Sequence, residues 1–127
     1  VTRNGTNLRM YVDGQIVGFG KSAADISNTY DLKIGDTPCT SLNPLQLNGE
    51  IDEVRIWSVA RNYHELAAFA NASLAGTEAN LTTYHDFNNQ SAMGGGTNTG
   101  QTISEDRTAN NFDGTLIDFA LDGSMSN

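Results

Sequence analysis

The chain has 127 residues, the size of one domain, and a chain this long buries about two thirds of its unfolded surface. Seven Lys and Arg against fifteen Asp and Glu give a net charge of -8. The seven cations are scattered, which argues against a nucleic-acid partner, and no apolar run approaches the roughly 20 residues of a membrane span.

The first twenty residues read as a meander. Val1-Thr2-Arg3 is a strand stub, Asn4-Gly5 a hairpin signal, and Leu8-Arg9-Met10-Tyr11-Val12 a strand alternating apolar and polar. Asp13-Gly14 predicts a second tight turn, followed by a strand over Gln15 to Phe19. Tyr30 to Gly35 alternates again and predicts a short strand. Asp36 to Pro44 holds both prolines and reads as a loop. Within it, the single Cys39 forms no internal disulfide. It is either a small part-buried side chain or a link to another chain.

Glu50 to Trp57 is the strongest strand pattern, and its alternation slips between Ile51 and Val54, predicting a bulge near Asp52-Glu53. A short helix fits Asn62 to Ala70. Asn62 caps it, Glu65 completes a capping box, and Leu66, Phe69 and Ala70 share a face. Leu81 to Phe87 predicts a strand, Gly94 to Gly100 a flexible loop, and Thr115 to Phe119 a last strand.

The run Val1 to Gly14, then Leu32-Lys33-Ile34-Gly35-Asp36, then Asn48 to Trp57 followed by Ala60-Arg61 and Glu65-Leu66, resembles a laminin G-like domain of the concanavalin A-like superfamily, which is also similar to pentraxins. The resemblance implies an all-β antiparallel jelly-roll sandwich with one short helix. The family's jelly rolls carry further strands before the position of Val1, so the chain would be a fragment of a longer surface protein (the preferred reading), a segment cut out of a longer chain, or a permuted small sandwich. Residues 1–75 would be the C-terminal half of such a sandwich. Residues 76–127 resemble a segment that often follows it in large bacterial surface proteins, and would be either its closing strands or the start of a following repeat.

What the resemblance implies for function is non-catalytic: an extracellular or cell-surface recognition or adhesion module, binding a glycan or a surface protein. Two alternatives stand beside it. One is a structural subunit or spacer of a filament or stalk, held by other domains or copies of the same long chain. The other is an ancillary domain of a polysaccharide hydrolase. The superfamily also holds retaining glucanases, whose chemistry needs two carboxylates about 5–5.5 Å apart. Glu50 and Asp52 have the spacing of one strand face, but the next positions on that face hold Val54 or, with a bulge, Arg55. Enzymatic activity is therefore not expected.

Calcium is the expected cofactor, because Asp and Asn oxygens are hard ligands. One candidate loop offers Asp36, Asn43, Gln46 and Asn48, and matches the pentraxin calcium loop only partially. A second offers Glu105, Asp106, Asn110, Asn111 and Asp113. Each is equally readable as a polar loop or an Asx-rich turn. His64 reads as a solvated helix residue and His85 as a sheet-surface residue. Tyr30, Tyr63, Tyr84 and Trp57 are the aromatic rings available for sugar contact, although Tyr11 and Trp57 fit core roles in the family pattern. Asn4, Asn71, Asn80 and Asn89 stand in Asn-x-Ser/Thr sequons, which are frequent by chance in so Asn- and Thr-rich a chain.

Overall fold

A computed structural model describes residues 1–36, 47, 49–88 and 101–117. Seven strands and one helix are assigned among them: β1 (Thr2–Asn4), β2 (Asn7–Val12), β3 (Gln15–Lys21), β4 (Val54–Trp57), α1 (Tyr63–Phe69), β5 (Leu81–His85), β6 (Ile103–Ser104) and β7 (Gly114–Thr115). They form three antiparallel sheets, ordered β1-β2-β3, β4-β5 and β6-β7. The fold is thus mainly β and antiparallel, with one short helix.

Local chemistry builds the meander. Val12 pairs with Gln15, so Asp13 and Gly14 are a two-residue loop. Both take positive φ, 49° and 75°, as the right-handed twist of a hairpin requires. The first turn differs from the reading by one position. Asn4 still pairs with Asn7, and the loop is Gly5-Thr6, with Gly5 at φ 57°. The register slips between Met10 and Tyr11, where Met10 faces Gly18 and Tyr11 faces Ile16.

Helix α1 begins as its capping signal predicts. The Glu65 N–H donates to Asn62 Oδ1 at 3.1 Å, and the Asn62 N–H donates to Glu65 Oε2 at 2.8 Å. These bonds, with Arg61 on the other oxygen, hold the Glu65 carboxyl below its ordinary range. Leu66 and Phe69 are half-buried, while Ala70 is the exposed C-cap.

Four strand expectations are corrected, the last strand first: read over Thr115 to Phe119, it is only β7 and ends at Thr115, with Leu116 and Ile117 outside it. Tyr30 to Gly35 forms no strand, and Tyr30 and Leu32 stand exposed, so alternation there has no partner ladder to satisfy it. The strand read over Glu50 to Trp57 starts only at Val54, because Glu53 sits at φ 55° and breaks the extended run. The strand after Leu81 stops at His85, two residues before Phe87 at φ 49°. The short strand β6 has no periodic signal to announce it. Gly94 to Gly100, Cys39, Pro44, Asn89 and Phe119 lie outside the described residues.

The most buried part of the molecule is β5 and what surrounds it. Leu81, Thr83, Tyr84 and His85 are buried, as are Ser104, Asp106 and Thr108. Strand β4, which precedes residue 75, pairs with β5, which follows residue 76. Gly76 is packed under this strand at φ 81°, where any Cβ would collide with the Arg107 carbonyl. Among the described residues, no helix is long and apolar enough to cross a membrane.

Candidate functional site

The β5 region is assembled from polar groups that satisfy one another. On one side, the Tyr84 hydroxyl donates to the Glu53 carboxylate, with oxygens at 2.7 and 2.8 Å. Glu53 also pairs with Arg55 and accepts from Ser73 Oγ. The Arg55 guanidinium donates further to the Phe69 and Ala72 carbonyls, tying β4 to the end of α1. Its carbon lies 5.5 Å from the Tyr84 ring centre, a cation–π distance. Burial, and then the hydrogen bond to Glu53, push the Tyr84 hydroxyl above its ordinary pKa. Tyr84 is 1% exposed, so it is core and not a rim aromatic for sugar contact.

On the other side, Asp106 closes the edge of β5 that β4 leaves free. Its Oδ1 accepts from the Tyr84 and Thr108 N–H groups at 3.0 Å each. Its Oδ2 accepts from Thr108 Oγ1 at 2.9 Å and from the Phe112 N–H at 3.0 Å. The carboxylate therefore replaces a neighbouring strand's carbonyl for Tyr84. Burial alone raises its pKa, but the N–H donors of Tyr84, Thr108 and Phe112 and the Thr108 hydroxyl outweigh burial and lower it to about 2.

Of the residues read as calcium ligands, the structure describes Asp36, Asp106, Asn110 and Asp113 in contacts of their own. Asp106 and Asp113 are brought together, with the Asp106 N–H donating to Asp113 Oδ1 at 2.9 Å. The Asn110 side-chain amide donates instead to the Thr82 carbonyl at 2.9 Å. A cation here would have to displace donors from both Asp106 oxygens. Asp36 accepts from Lys33 Nζ at 2.9 Å, and Asn43 lies outside the described residues. Among the described residues, no group of three or more His, Cys, Asp or Glu side chains is arranged to hold a metal ion.

The histidines divide. His64 is exposed, as read, with its ring edge-on to Tyr63 at 5.4 Å. His85 is corrected: it is 5% exposed, not a surface residue. Its Nδ1 lies 3.0 Å from Ser104 Oγ and its Nε2 3.2 Å from Thr83 Oγ1. β5 is covered on both faces, so alternation could not tell which of its side chains meets water.

One open feature is a cleft of about 440 Å³, with β1 on one wall and β4 and α1 on the other. Thr2, Arg3, Arg55, Trp57, Leu66 and Phe69 line it. The Arg61 guanidinium stacks on Trp57 at 3.6 Å and donates to Glu65 Oε1 and the Ala79 carbonyl. The Nε–H groups of Arg55 and Arg61 are buried and have no acceptor among the described residues. A volume of this order suits a small ligand or a few residues of a partner chain. The sequence signals for Trp57 and Arg61 were visible, but their stacking was not.

A laminin G family model, described as the concanavalin A-like lectin/glucanases superfamily, matches residues 1–67, just over half of the chain. The chain belongs to this superfamily. The matched stretch of this concanavalin A-like domain spans the meander, β4 and most of α1, which are the same elements that frame the cleft. Neither a curated protein nor a solved structure matches the chain.

Proposed function

We propose that this concanavalin A-like chain is a non-catalytic recognition or adhesion module of a larger secreted or cell-surface protein, binding a glycan or a protein partner. One observation carries the reading: the carboxylates nearest the family's strand are committed to structure. Glu53 is held by Tyr84 and Arg55, and Asp52 Oδ1 accepts the Glu53 N–H. Glu50 and Asp52 precede β4 and are not on a strand, so the strand spacing that would set them on one face does not apply to them. What stays open is surface suited to contact: the Trp57 cleft and exposed rings such as Tyr30 and Phe19. Calcium belongs to this proposal only at the loop that starts at Asp36, since the Asp106 oxygens already serve four donors.

A second reading, a structural subunit of a filament or stalk, is favoured by one feature. Among the described residues, no strand pairs with the outer edges of β1 and β3, and Met10, Val12 and Ile16 are exposed on the sheet between them. A glycan array probed with the 127-residue chain, alongside sedimentation over a concentration series, separates the two. Binding to one glycan class without its hydrolysis is the expected result. An empty array with concentration-dependent assembly would replace recognition by the structural role.

A further inference from the structure

Four of the seven cations are paired with carboxylates: Lys33 with Asp36, Arg55 with Glu53, Arg61 with Glu65, and Arg107 with Asp86 and Glu105. The remaining three, Arg3, Arg9 and Lys21, all lie on the β1-β2-β3 meander, whose only acid is Asp13. Arg3 donates to the Gly5 and Ala24 carbonyls. Arg9 and Lys21 form no ion pair or hydrogen bond among the described residues. In a chain of charge -8 this is a local inversion of sign, and the scattered order in sequence conceals it.

The ladder puts these cations beside an aromatic ring. Arg9 faces Phe19 across β2 and β3, and Asn7 faces Lys21. Residues two apart on a strand share a face, so Asn7, Arg9, Phe19 and Lys21 stand on one side of the sheet. Phe19 is 89% exposed, so its ring stands open to solvent on this face. The same residues line a shallow depression of about 450 Å³.

We infer that this face binds an acidic sugar chain, an inference that rests on the recognition reading above. Phe19 offers a flat apolar surface to the C–H face of a pyranose ring. Arg9 and Lys21 flank it to meet a carboxylate or sulfate, and Asn7 supplies an amide for a hydroxyl. An acidic peptide would use the cations but has no need of the open ring.

The test is calorimetric titration of the 127-residue chain with an oligogalacturonide, a sulfated oligosaccharide, a neutral cello-oligosaccharide and polyglutamate. Circular dichroism checks that each variant stays folded. One or both acidic sugars bind, with the preferred one identifying carboxylate or sulfate. The double variant Arg9→Glu/Lys21→Glu weakens that binding at least about tenfold, and raising NaCl to about 0.5 M does the same. Phe19→Ala weakens it severalfold and leaves any polyglutamate binding unchanged. Polyglutamate binding as tight as the sugar, with no effect of Phe19→Ala, overturns the inference in favour of an unspecific polyanion site. Binding of the neutral sugar alone, indifferent to these substitutions, overturns it while the recognition reading stands. A chain that binds none of these sugars overturns the inference and leaves the recognition reading only its protein-partner form.

Discussion

The β5 hub and the N-terminal meander are both antiparallel β, yet they are held in opposite ways. In the hub, buried positions carry polar groups, and each hydroxyl, carboxylate and imidazole named above has a partner. In the meander, Met10, Val12, Ile16 and Val17 are about half exposed and Phe19 almost wholly so, with cations lacking carboxylates. The hub is therefore specific and intolerant, because removing one member leaves several others unpaired in a dry place. The meander is tolerant, because its side chains have little to lose. Stability belongs to one region and open contact surface to the other.

The sharpest way to break this contrast is Asp106→Ala. It strands the N–H groups of Tyr84, Thr108 and Phe112 together, and a loss of about 4 kcal/mol is expected in denaturant unfolding, most of the stability of a small domain. A loss under 1 kcal/mol would mean that the hub is not what holds the chain. Gly76→Ala follows, at about 3 kcal/mol, since it meets both a positive φ and the Arg107 carbonyl. Retention of the wild-type Tm would remove the close packing of that turn from the account.

Acid titration sharpens the contrast next. The Asp106 carboxyl has its pKa lowered from 3.8 to about 2 on folding, so the unfolded chain takes up a proton more readily. Its contribution of about 2 kcal/mol is complete above pH 4 and disappears as pH falls toward 2. Comparing wild type with Asp106→Asn over this range isolates the effect, because the variant lacks the titrating group. At the small end, Phe19→Ser changes stability by less than about 0.5 kcal/mol. A larger loss would show that the meander ring is packed in solution.

The elements that were legible in the sequence are those whose causes are close together. The Asp13-Gly14 turn and the Asn62/Glu65 capping box each span four positions or fewer. Tyr30 to Gly35 misled because alternation states only that a strand would have two faces, not that a partner exists. His85 misled because a polar residue on a strand normally faces water, and here Ser104 and Thr83 take that place. Gly76 carried no turn motif, since what demands a glycine is a carbonyl at residue 107.

By itself, then, the sequence determined the β class, the tight turns, the capped helix and the superfamily, because these rest on short-range sterics, local hydrogen bonds and the order of strand patterns. Only the tertiary structure decided the rest. It brought Tyr84 to Glu53 across 31 positions and to Asp106 across 22, and these long-range hydrogen bonds have no signature in spacing. It also sorted seven scattered cations into four with carboxylate partners and three with none among the described residues. Which charges are neutralised depends on where the folded backbone places their neighbours, and that is a property of the sheet register and not of the residue order.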